Sequence, residues 1–177
     1  MIESKIEIFY KSEEQSLINK RNYNFINKSI LRHEETILLD NIFFYKTKLL
    51  GEGSFGKVFL GGIKNYEELM AVKIINIDNK HKYKNFMEEK NKLIILNNNG
   101  NFPRIYDWSY SGDYFFIVES LMGPSMEDLF YLCGECFDLL SIYNITIDLI
   151  NNIRIIHESN LVHGDIKETN ICYGNFD

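Results

Sequence analysis

Three stretches of the sequence hold residue types whose spacing could do chemistry. His163-Gly164-Asp165-Ile166-Lys167-Glu168-Thr169-Asn170 brings a carboxylate, an ammonium and an amide within six residues. Phosphoryl transfer asks for these three functions: a group that orients a hydroxyl and accepts its proton, a positive charge on the transferring phosphoryl, and an oxygen ligand for a metal ion. An ordinary polar turn would not need all three so close together. Gly51-x-Gly53-x-x-Gly56-x-Val58 is a second candidate. Without Cβ atoms, such a loop lets backbone amides approach phosphate oxygens. The third is Ala71-Val72-Lys73-Ile74, where Lys73 stands inside an apolar run. A charge there must be paired, because desolvation opposes the ionised form. A phosphate and a carboxylate would satisfy it. Glu88 and Glu89 are the candidate carboxylates; Glu89 has Leu93 and Leu96 at +4 and +7, which places it on the inward face of a helix and makes it the preferred partner.

These stretches need elements to hold them. Ile42 to Leu50 reads as a strand, the glycine loop interrupts it, and Lys57 to Leu60 resumes it. The loop therefore joins two strands of a hairpin. A dinucleotide-binding glycine motif would open a helix instead. Gly61-Gly62 and Lys64-Asn65 are expected to turn the chain before a third strand, Leu69 to Ile77. A helix is expected from about Asn85 to Asn97, with Phe86, Leu93 and Leu96 inward. Ile105–Tyr110 and Tyr114–Leu121 read as a hairpin about Ser111-Gly112-Asp113. Gly123-Pro124 breaks the chain. Ser125, with Asp128 three residues on, is an N-cap signature for a short helix. A long helix follows from about Leu139 to Glu158, with Ile142, Ile145, Leu149, Ile153 and Ile156 at helical spacing. The polar string beginning at His163 thus sits on a loop after a rigid helix. Residues 1–41 show no sustained period, apart from a possible short helix near Glu13–Lys20, and are read as an extension.

Composition limits the alternatives. The chain has 177 residues, 45% hydrophobic and 14% aromatic, so it can bury a core and is not of disordered type. Nineteen Lys and Arg against twenty-five Asp and Glu give a net charge of −6, which argues against a dedicated nucleic-acid binder. The N-terminus lacks the apolar core of a secretory signal, and no long uncharged apolar run argues for a membrane span. The cysteines, Cys133, Cys136 and Cys172, are odd in number and read as reduced thiols, which places the chain in the cytoplasm or nucleus. Cys133-Gly-Glu-Cys136 has the spacing of metal ligands, but without a second pair it reads as a helix-to-loop passage.

Glycine loop, Val-x-Lys, Glu-bearing helix and His-Gly-Asp-Ile-Lys-Glu-Thr-Asn loop, in that order, resemble the eukaryotic-type protein kinases. More narrowly, Leu121-Met-Gly-Pro-Ser-Met-Glu-Asp-Leu-Phe130 is similar to the segment after the small lobe in the casein kinase I family, and His163-Gly164-Asp165 to the vaccinia-related kinases. The resemblance implies an α+β fold of two lobes: a complete β-rich small lobe over 42–122 and the first helices of a helical large lobe over 123–177. It implies a serine/threonine protein kinase that uses ATP and Mg2+ on protein hydroxyls. Gly51, Gly53, Ser54, Phe55, Gly56, Val58 and Ala71 would surround the nucleotide. Lys73 would bind its α- and β-phosphates and pair with Glu89. Asp165 would be the catalytic aspartate, Lys167 would steady the γ-phosphate, and Asn170 would be a magnesium ligand. The hinge that meets adenine would fall within Glu119–Met122, with Glu119 and Leu121 lining the site. A gapless match puts Glu119 where these families carry an apolar residue, so either the hinge holds an extra residue or the back of the pocket is polar.

Two departures qualify the resemblance. Gly164 replaces the Arg that pairs with a phosphorylated activation loop, which implies activity independent of that modification. The sequence also stops seven residues after Asn170, ahead of the D-F-G motif, so a fragment of a longer kinase is expected. The competing readings are a truncated, non-catalytic module that binds nucleotide or a partner, and a small-molecule phosphotransferase with an H-G-D…N loop. Lys167, the full glycine loop and Gly123-Pro124-Ser125 speak against the latter.

Overall fold

The structure is a computed structural model and describes residues 35–53, 56–77, 80–97 and 101–174. The expected short helix near Glu13–Lys20, and Ser54 and Phe55 of the glycine loop, lie outside the described residues. Those residues form two compact units, 35–122 and 123–174.

The first unit is a six-stranded antiparallel sheet with one helix. The strands are β1 (Thr36–Leu39), β2 (Ile42–Gly53), β3 (Gly56–Ile63), β4 (Met70–Asn76), β5 (Ile105–Ser111) and β6 (Tyr114–Ser120), in the spatial order β1-β2-β3-β4-β6-β5. Helix α1 (Lys80–Leu96) follows β4. Alternation sorts the side chains. Val72, Phe116 and Val118 join Ile42, Phe44, Ile63 and Met70 in one buried cluster. Ile75 and Ile117 point the other way and meet Phe86 of α1 and Ile105 of β5. Full burial of a side chain such as Phe86, which is 1% exposed, stabilises by about 1.5–3 kcal/mol.

The first unit differs from the sequence expectation at three places, two in the sheet and one in the helix. The sheet begins earlier, because Thr36–Leu39 pairs with Ile42–Tyr45 and packs Ile37 and Leu39 against the first cluster. A four-residue strand is too short to show a period. Gly61 and Gly62 do not turn the chain; they lie buried inside β3, and Lys64-Asn65 alone makes the turn. The reason is close approach, since a Cβ at Gly61 would lie 2.1 Å from the Phe43 carbonyl oxygen. Helix α1 starts at Lys80 rather than near Asn85. Its first turn carries no acid to complement the helix dipole. Packing of Phe86, Leu93 and Leu96 holds it instead.

The second unit holds α2 (Met126–Leu132), α3 (Leu139–Glu158) and a 3-10 turn at Glu168–Asn170. Ser125 caps α2 in a reciprocal box: its Oγ accepts from the Asp128 N–H at 3.1 Å, and Asp128 Oδ2 accepts from the Ser125 N–H at 3.1 Å. Asp138 caps α3 by accepting from the Ser141 N–H at 3.0 Å, and this bond holds the Asp138 carboxyl below the usual carboxylate range. Of the five apolar residues expected to line the inner face of α3, only Ile156 is buried; Ile145, Leu149 and Ile153 are half-buried and Ile142 is exposed. By length and composition α3 is apolar enough to cross a membrane. Asp148 and Arg154 lie within it, however, and a charge at the centre of a spanning helix costs about 2.5–3.5 kcal/mol. Cys133 forms the C-cap of α2, and no cluster of His, Cys, Asp and Glu suited to a metal ion lies among the described residues.

Candidate functional site

Within the first unit, β-pairing places the sequence-predicted residues in two rows. Residues opposite one another in an antiparallel pair share a face. Gly51 lies opposite Val58, Val58 opposite Lys73, and Lys73 opposite Ile117. In the next row Leu60 lies opposite Ala71, and Ala71 opposite Glu119. Val58, Ala71, Lys73 and Glu119 therefore share the face on which α1 packs. Lys73 forms an ion pair with Glu89 of α1, and both side chains are largely withdrawn from solvent. Glu88 lies elsewhere on the helix and meets Lys84 at 3.7 Å on the surface. The preference for Glu89 follows from its spacing to Leu93 and Leu96.

Gly51 and Gly53 end β2, and a Cβ at either would meet nothing within 4 Å. Gly56 opens β3 tight against the Ile74 carbonyl. A cavity of about 550 Å³ lies beside this hairpin, lined by Gly53, Gly56, Lys57, Phe86 and Glu89 among others.

Glu119 resolves the expected hinge differently. It is still inside β6, and the β4–β6 register runs from Met70↔Ser120 to Asn76↔Tyr114 without a shift. No extra residue is accommodated there, so the irregular segment begins at Leu121, not at Glu119. Burial pushes the Glu119 carboxyl up to about 7, opposed by the charge of Lys73 and reinforced by that of Glu89. Of the two alternatives left by the sequence, the ladder has no room for an extra residue up to Ser120, and the polar Glu119 is held inside the sheet. Ser120, which sequence reasoning passed over, is 5% exposed, and its Oγ accepts from the Arg104 N–H at 2.9 Å. It fixes the end of β6 to the residue before β5.

Within the second unit, Asp165, Lys167 and Asn170 meet. Lys167 Nζ lies 3.0 Å from Asp165 Oδ2. Asn170 Nδ2 donates to the same oxygen and to the Asp165 carbonyl, each at 2.9 Å. The Asp165 N–H donates to His163 Nδ1 at 3.2 Å. Hydrogen bonding from Lys167, then from Asn170, holds the Asp165 carboxyl below the usual carboxylate range. Gly164 has a φ of +81°, a conformation that side-chain-bearing residues rarely adopt. Glycine at this position is thus a requirement of the observed loop. The far end of the loop is clamped, because the Met126 N–H donates to the Ile171 carbonyl at 2.8 Å and the Tyr173 N–H to the Pro124 carbonyl at 2.9 Å.

A glycine hairpin and an interior lysine–glutamate pair in one unit, with an aspartate–lysine–asparagine loop in the other, define a phosphotransferase of the kinase type. The protein kinase domain family model matches residues 44–175, and the chain belongs to that family. Protein kinase domains in general use ATP and Mg2+ and act on protein substrates.

The residues present fit such ligands. Gly51 and Gly53, where a Cβ would meet nothing within 4 Å, leave room for phosphate, and Lys73 supplies a cation. The Asn170 amide oxygen is a hard donor of the kind magnesium takes. Magnesium is commonly held by one or two protein oxygens plus substrate phosphates.

Proposed function

We propose that this protein is a serine/threonine kinase of casein-kinase-I-like type that moves the γ-phosphoryl group of ATP to protein hydroxyls. The observation that carries the reading is Lys167 Nζ at 3.0 Å from Asp165 Oδ2. An ionised aspartate in a water-exposed loop orients a hydroxyl and accepts its proton, and the neighbouring ammonium meets charge that spreads over the phosphoryl oxygens. Gly51, Gly53, Gly56, Val58, Ala71 and Leu121 would surround the nucleotide, with Lys73, steadied by Glu89, on its phosphates. Asn170 would hold magnesium, which when bound offsets phosphate charge. The casein-kinase-I-like assignment rests on Leu121–Phe130, where Ser125 and Asp128 form the observed capping box.

The test is phosphotransfer from γ-labelled ATP to casein and to a mixed Ser, Thr and Tyr peptide pool, followed by phosphoamino-acid analysis. Label on Ser and Thr, abolished by Asp165→Asn, supports the reading. Label on Tyr alone, or on a small-molecule alcohol in preference to protein, overturns it.

A further inference from the structure

Lys73 has more than one acid within reach. Across an antiparallel ladder, residues diagonal by two positions lie about 7–8 Å apart at Cα, within reach of long side chains. Ala71↔Glu119 and Lys73↔Ile117 make Lys73 and Glu119 such diagonal neighbours, on the same face and beneath the same helix. Glu89 reaches Lys73 from α1. Among the described residues, Lys73 is the cation that opposes the upward shift of the Glu119 carboxyl. Ile105 lies opposite it on β5, and Leu60 and Val58 of β3 are apolar. Lys90 of α1 is occupied over the Trp108 ring at 4.1 Å, and Lys82 lines the hairpin cavity two turns before Glu89. Arg104 stacks on Tyr106, which packs against the opposite cluster, and Asp107 lies opposite Val118 of that same cluster. One ammonium thus stands between two carboxyl groups.

We propose that Glu119 is a positioning residue of the Lys73 site: it competes with Glu89 for the ammonium, and a nucleotide phosphate takes full hold of Lys73 only when Glu119 binds a proton from solvent. With both acids ionised the cluster carries one net negative charge, which repels a polyphosphate. With Glu119 protonated the cluster is neutral, and the phosphate meets the ammonium without a second competitor. Burial already favours the protonated form of Glu119 near neutral pH. Nucleotide binding and proton uptake are then linked, and affinity falls as pH rises past neutrality.

This inference rests on the assignment of Lys73 to nucleotide phosphate. It is tested by calorimetric titration of the full chain with magnesium-ATP, at about pH 6.5 and about pH 8.5, in buffer pairs of different ionisation heat. Each one-unit rise of the Glu119 pKa on binding corresponds to about a tenfold loss of affinity at high pH. Wild type is expected to bind about tenfold more weakly at the higher pH and to take up a fraction of a proton. Glu119→Gln, which removes the charge at nearly constant shape, is expected to hold its affinity across the range and to take up none. The wild-type proton uptake stands as a measurement even if the variant fails to fold. ATP binding with no uptake and no pH dependence in wild type overturns this inference and leaves the nucleotide assignment in place. No ATP binding by wild type at either pH overturns the assignment, and the inference with it.

Discussion

Lys73 and Glu89 form an ion pair that ties the middle of β4 to the inward face of α1. The pair sits beside the glycine hairpin in a site partly closed to water, where desolvation offsets much of the attraction and loss of one partner leaves the other in poor surroundings. Lys73→Met is expected to lower ATP affinity and phosphotransfer by about 10²-fold or more while the chain stays folded, since the Glu89 side chain keeps enough exposure to be hydrated once the ammonium is gone. Far-ultraviolet circular dichroism and ATP binding measured together check this. A variant that loses its fold would make Lys73 a structural residue.

How far the sequence foretold this pair depends on what kind of signal each partner carried. Glu89 was legible because Leu93 and Leu96 follow at helical spacing and fix the helix face. The strands β2, β3, β4, β5 and β6 were legible from apolar runs between turn residues. Thr36–Leu39 was not, because its partner in the ladder supplies the order that four residues cannot display alone. Gly61 and Gly62 were misread for a related reason. Glycine marks both turns and close backbone contacts, and only the position of Phe43 on the neighbouring strand distinguishes them. The first turn of α1 was hidden because it carries no acid to mark a helix start. Asp165, Lys167 and Asn170 lie within one short loop, so their meeting needed little from the rest of the fold.

Asp165 accepts from Lys167 and Asn170, and these two bonds are the main causes that hold its carboxyl below the usual range. It therefore remains ionised throughout the neutral range, as a proton acceptor must. Asp165→Asn is expected to lower phosphotransfer by roughly 10²-fold or more while ATP binding persists. Lys167→Met should raise the Asp165 pKa toward the ordinary value of about 3.9. Carboxyl 13C titration of wild type and variant is the check, and an unmoved midpoint would show that Lys167 does not govern Asp165.

Glu119 makes a separate prediction about stability. In the folded chain its carboxyl holds a proton up to about pH 7, against about 4.5 when unperturbed. Between those values the folded state binds more protons than the unfolded state, so stability declines as pH rises through the window and levels off above it. The contribution is on the order of 1–3 kcal/mol. Urea midpoints at about pH 5 and about pH 8 should differ in wild type by this contribution, and the difference should shrink in Glu119→Gln. Equal slopes in the two proteins would place the titrating group elsewhere.

Two glycines are expected to respond to alanine by different routes. A Cβ at Gly164 meets nothing within 4 Å, so the cost of Gly164→Ala is the backbone strain of a positive φ, about 1–2 kcal/mol. The variant should fold, with the Asp165 loop displaced and activity reduced more than stability. A Cβ at Gly61 would sit 2.1 Å from the Phe43 carbonyl oxygen and 2.7 Å from a Val72 methyl, both in the buried sheet. Neither neighbour has room to move, because Val72 is 0% exposed and the carbonyl belongs to a paired strand. Gly61→Ala is therefore expected to destabilise the first unit well beyond the Gly164 variant. It should lose soluble expression or unfold at markedly lower urea, and comparable unfolding midpoints for the two variants would mean that β2 and β3 are not held together as tightly as Gly61 requires.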